Sequence, residues 1–129
     1  MPPSSIPEPL LRFIKAHIHS VLQLEVLLLM RERAGDWTPD AVSRELRITP
    51  QSAALRLDDL RLRGLLAPGV DLGSFRYAPS TPELVLLTDA LAELYAAARY
   101  TVINLIFSEP GDSALRLAEA FRLRRKGDK

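Results

Sequence analysis

The sequence predicts a mainly α fold with one small β-hairpin: a helix, tight turn and helix run into two short strands, with further helices at both ends. Three observations predict it. The pair Thr-Pro occurs at Thr38-Pro39, Thr49-Pro50 and Thr81-Pro82, each placing a capping hydroxyl before a residue that tolerates the first helical turn. Gly64 follows an apolar-periodic stretch and supplies a helix stop. Pro68-Gly69 and Gly73 then separate two short apolar runs, the punctuation of a hairpin.

Taken in order, Leu10, Leu11, Phe13, Ile14 and Ile18 suit a short amphipathic helix after Pro9. Ser20 and Gln23 have the spacing of a capping box and open a helix from about Val21 to Arg33, stopped by Gly35. Its apolar positions Val21, Leu24, Leu27, Leu28 and Leu29 leave Gln23, Glu25 and Arg31 for water. Thr38-Pro39 starts a short helix that buries Ala41, Val42 and Leu46, and Thr49-Pro50 starts another that runs to Arg63. About three residues join the two, a tight turn. Leu65-Leu66-Ala67 and Phe75-Arg76-Tyr77-Ala78 form the hairpin. From Glu83 to Phe107 there is neither Gly nor Pro, which predicts one long helix, and Pro110-Gly111-Asp112 separates it from a last helix over Ser113–Arg125. The chain thus divides into a lead-in with a short helix (1–19), a central unit (20–79), a long helix (80–107) and a C-terminal helix with a basic tail (108–129).

The stretch from Trp37 to Leu46, followed by Ile48-Thr49-Pro50 and by Leu57 to Leu66, resembles the winged helix-turn-helix superfamily, including the bacterial MarR-like and PadR-like regulators. The clearest local match is Asp58-Asp59-Leu60-Arg61-Leu62-Arg63-Gly64-Leu65-Leu66, and the resemblance covers about Ser20 to Pro79. It implies a winged helix with additional N- and C-terminal helices, and a DNA-binding regulator as its function. Physically the ending is coherent, because Ala53, Leu57 and Leu60 share one helix face and Gly64 permits the sharp exit.

If the third helix of this unit reads DNA, its start carries Thr49, Gln51, Ser52 and Arg56, donors suited to base edges, while Arg76 in the wing meets phosphate. Against this, Leu55, Asp58, Asp59 and Leu62 give the outer face leucine and carboxylate, and the wing carries Asp71. The alternative is a winged helix that binds protein. In the long helix, Leu84, Leu87, Leu91, Leu94, Ala98, Thr101 and Leu105 recur at coiled-coil spacing, which predicts a homodimer seam, with an intramolecular seam as the alternative.

Composition bounds the rest. The 129 residues, 47% of them apolar, fit one domain. No cysteine is present, which removes disulfides, thiolate metal sites and cysteine nucleophiles, and fits a reducing cytoplasmic setting. The start shows no basic region followed by an apolar one, and the longest apolar run, Val26–Met30, is far short of the roughly 20 residues of a bilayer span, so no membrane association is expected. Net charge is +1 but uneven: six cations and two carboxylates lie from Arg116 onward, leaving −3 before them. That tail could serve as a nucleic-acid arm or simply be solvated. His17 and His19 have no evident third ligand, so no metal is expected. The sole tryptophan, Trp37, is expected to pack against the first helix rather than to recognise a ligand. No phosphate-cradling loop, no nucleophile with a base and no usable acid pair occurs, and neither an enzyme nor a cofactor is expected.

Overall fold

Each Thr-Pro pair begins a helix. In the computed structural model, which describes residues 6–107, the order is α1 (Glu8–His17), α2 (Val21–Glu32), β1 (Asp36–Trp37), α3 (Pro39–Leu46), α4 (Pro50–Leu62), β2 (Leu66–Pro68), β3 (Phe75–Tyr77), α5 (Pro82–Ala97) and α6 (Arg99–Phe107). The hydroxyls of Thr38, Thr49 and Thr81 accept hydrogen bonds of 3.1 Å from the amides of Ala41, Ser52 and Leu84. Each cap satisfies one of the helix's otherwise orphaned N–H groups. The helix and tail expected over 113–129 lie outside the described residues.

The fold is a winged helix with flanking helices. Helices α3 and α4 are joined through Arg47, whose φ of 59° places it in the left-handed region, and through Ile48. At the other end of α4 the chain closes a Schellman motif: Leu65 N–H donates to Leu60 O and Gly64 N–H to Arg61 O, both at 3.0 Å. Gly64, at φ +82°, makes that exit possible. The hairpin β2–β3 pairs Leu66 with Tyr77 and Pro68 with Phe75.

One core serves all the elements. Leu24, Leu27 and Met30 of α2 meet Val42 of α3, Leu57 and Leu60 of α4, and Leu65, all fully buried. Ile14, Ile18, Leu91 and Val102 extend the same cluster through the flanking helices. Each such aliphatic side chain contributes about 1.5 to 3 kcal/mol by leaving water.

Four readings of the sequence need correction. First, the helix expected from Glu83 to Phe107 is two helices, bent by 115° at Ala98 (φ −145°, ψ 64°). No helix breaker stands there. The bend returns α6 to α1 and buries Val102 and Ile106, which a straight continuation would leave in water. Second, Gln23 is only 2% exposed, and Glu25 and Arg31 are half-buried tethers rather than solvated groups. Arg31 Nε lies 2.9 Å from Asp89 of α5, and Glu25 accepts from Tyr95 and Arg99. Third, the sheet has three strands in the order β1-β3-β2, with Asp36 and Trp37 paired antiparallel to Arg76 and Phe75. A two-residue strand is too short to show alternation, so the pattern could not reveal it. Trp37 belongs to this strand, and its indole N–H donates to Arg33 O after α2 at 2.9 Å. Fourth, Asp59 does not stand free on the outer face of α4. It is tied inward by Gln23 and Arg63.

Candidate nucleic-acid interface

The N-terminal end of α4 gathers three of the expected residues. Thr49 caps the helix with its own oxygen, so that atom is already engaged, while Gln51 is exposed and Ser52 half-buried. Arg56, one turn beyond Ser52, is half-buried as well, and its Nε is out of solvent with no hydrogen-bond partner among the described residues. Only the far end of that guanidinium is in a position to meet a ligand. Helix geometry puts Ser52 and Arg56 on one side of α4.

Arg76 is exposed on β3, but its register neighbour on β1 is Asp36. A carboxylate beside the wing's only strand cation lowers the positive potential there. Asp36 is also structural, since its Oδ2 accepts the Val70 amide at 2.7 Å. Two exposed cations were missed by reasoning from the second helix alone: Arg44 near the end of α3 and Arg47 in the turn. Arg47 gave no signal because left-handed backbone is ordinarily marked by Gly or Asn.

The outer face of α4 carries the expected leucines in water: Leu55 is 64% and Leu62 74% exposed. Asp58 is exposed beside Arg61, 3.7 Å away. On the wing, Val70 and Leu72 are in water.

The expected dimer seam divides. Leu91 and Leu94 lie in the core of this chain, and Leu84, Leu87, Ala98 and Leu105 are half-buried against it. The large apolar residues left outward on α5 and α6 are Leu86, Tyr100 and Phe107. Among the described residues no cluster of three His, Asp or Glu could hold a metal, and no single helix is long and apolar enough to cross a membrane.

With the geometry in place, solved structures supply a comparison. BpsR of Bordetella bronchiseptica, whose DNA binding is regulated by 6-hydroxynicotinic acid, superposes with a TM-score of 0.51 and 19% identity, over 94% of this chain and 84% of its own. The chain shares its fold with a DNA-binding regulator. The S-adenosylmethionine-dependent methyltransferase SibL aligns at 20% identity and a TM-score of 0.48, over 92% of this chain and 30% of its own. No protein-family model matches the sequence, and no curated protein matches it.

Proposed function

We propose that the protein is a transcriptional regulator that binds duplex DNA as a homodimer, with the start of α4 in the major groove. The observation that carries this reading is the helix-turn-helix pair α3–α4, whose second helix opens at the surface with an exposed Gln51. The N-terminal end of a helix presents the positive end of its dipole to phosphate. Gln51 and Arg56 are the base-reading candidates, Thr49 and Ser52 line the same end, and Arg44, Arg47 and Arg76 meet the backbone. The shared fold with BpsR supports it. MarR-like kinship is part of this proposal.

Titration of labelled duplexes over a salt series tests it. Binding should weaken steeply as salt rises. Gln51→Ala should relax sequence preference at a cost of about 1 to 3 kcal/mol, whereas Arg76→Ala should weaken all duplexes alike and flatten the salt slope. Absence of binding to any duplex at low salt overturns the reading.

A second reading is favoured by one observation, the exposure of Leu55 and Leu62 on the same helix. A surface of that kind suits a protein partner. In that case Leu62→Lys abolishes partner binding and Gln51→Ala does not.

A further inference from the structure

Where α1 begins and α5 ends, the two helices leave a gap. Ile6 and Leu10 stand on one side of it and Leu94 on the other, all buried. Ala90, Ala97 and Ala98 complete the wall, and none of the three carries a side chain long enough to fill the space between. The result is a cavity of about 380 Å³, far more than a water needs and the size of a small-ligand site.

The charge around this apolar space has one sign. Glu93 is the one ionised residue in its wall, and among the described residues it has neither an ion-pair nor a hydrogen-bond partner. The carboxylates of Asp89 and Glu25, by contrast, are matched by Arg31 and Arg99. The last turn of α5 also lacks a basic residue, so the negative end of its dipole meets the cavity at Ala97 and Ala98 without a cation of its own. Arg99, next in the chain, is drawn off to the Tyr95 ring at 5.4 Å and to Glu25 at 3.4 Å.

We infer that this cavity binds a small hydrophobic amine, with its alkyl or aryl body against Ile6, Leu10 and Leu94 and its ammonium group at Glu93 and the C-terminal end of α5. Apolar walls reward burial of the body, and the unmatched carboxylate and dipole end select a positive head. An anion of the same shape meets both as repulsion, and a neutral molecule gains the burial alone. The ammonium group stays at the rim, where water reaches Glu93, so charge sets the preference rather than the bulk of the affinity. A ligand seated there touches α1, α5 and Ala98 at the bend, the junction from which α6 returns to α1. No residue of α4 lines the cavity, so the site stands whether or not α4 reads DNA.

Hexylamine, hexanol and hexanoate, titrated in turn into the isotope-labelled whole chain at neutral pH, test this through the amide resonances of Leu94, Ala97 and Ala98. The amine should bind about three- to tenfold more tightly than the alcohol, as an exposed carboxylate and a helix dipole together allow, and hexanoate more weakly than either. Glu93→Gln should bring the amine most of the way down to the alcohol and leave the alcohol unchanged. Ala97→Leu, which narrows the cavity, should weaken both together. No shift at these amides with any of the three compounds, equal binding of amine and hexanoate, or an amine indifferent to Glu93→Gln overturns the inference. So does a protein that binds no amine and whose mass on a sizing column falls with Ala97→Leu, because a second copy then takes up the cavity. Should Ala97→Leu fail to fold, the three compounds on the unaltered chain still decide the matter. None of these readouts involves a duplex, so failure here and failure of the DNA reading are told apart.

Discussion

Gly64 shows how much one residue decides. Its φ of +82° is costly for any side chain, and a Cβ there would meet Ser80 Oγ at 2.8 Å. Gly73 has nearly the same φ, +83°, but nothing within 4 Å of an added Cβ. Gly64→Ala should therefore lower stability by about 1 to 2 kcal/mol and Gly73→Ala by less, a difference that paired urea titrations read directly. Gln23 is the other residue of this kind. Its substitution by Leu leaves His17 O short of a donor and removes one of the two side chains that hold Asp59. A loss of about 1 to 3 kcal/mol is expected in the same titration. Gln23→Glu should not rescue it, because a carboxylate facing Asp59 repels. The capping-box spacing revealed that Gln23 had a local role. It gave no hint of Asp59, which is 36 residues away.

At the scale of elements, start and stop signals were legible and straightness was not. Thr49 accepts the Ser52 amide as its spacing implies, and Thr49→Ala should cost about 0.5 to 1 kcal/mol, toward the low end because water reaches the exposed cap. Thermal melting of that variant checks it. The break at Ala98 left no mark in the sequence, since local propensity favours helix on both sides. What bends the chain is the burial of Val102 and Ile106 against α1, reinforced by Arg99, which stacks 5.4 Å from the Tyr95 ring and lies 3.4 Å from Glu25. The a and d stripe of α5 was read correctly as apolar. Whether an apolar stripe faces its own chain or a second one depends on where the partner helix lies, and α1 takes up Leu91's side of it.

For the molecule as a whole, pH and assembly are the informative variables. His17 binds its proton less readily folded than unfolded, so the unfolded chain takes up protons first as pH falls. Stability should be level above the ordinary imidazole value of 6.5, decline as pH drops through it, and level again below the folded value until carboxylates titrate. His17→Asn should flatten that decline, as melting temperatures across a buffer series would record. Assembly is tested by light scattering on a sizing column. A homodimer gives twice the chain mass of 14.4 kDa, and a monomer at tens of micromolar rejects it. If the dimer forms, Leu86→Lys or Tyr100→Lys should dissolve it, since these are the apolar residues that the single chain leaves outward.

By itself the sequence determined the succession of helices from α1 to α5 with the β2–β3 hairpin among them, the caps that open α2, α3, α4 and α5, the Gly64 exit and the apolar face of α4. All of these are set within a few residues of chain, by hydroxyl–amide geometry, by the conformational range of glycine and by the helical period. The tertiary structure alone decided that Gln23, Arg31 and Asp59 are tethers rather than solvated groups, that Ala98 bends, that Asp36 and Trp37 pair with β3, and that Leu91 points inward. Each of those outcomes joins residues far apart in the chain. The free energy that fixes them comes from burial and from polar groups that must find partners once water is gone, and neither is written in local spacing.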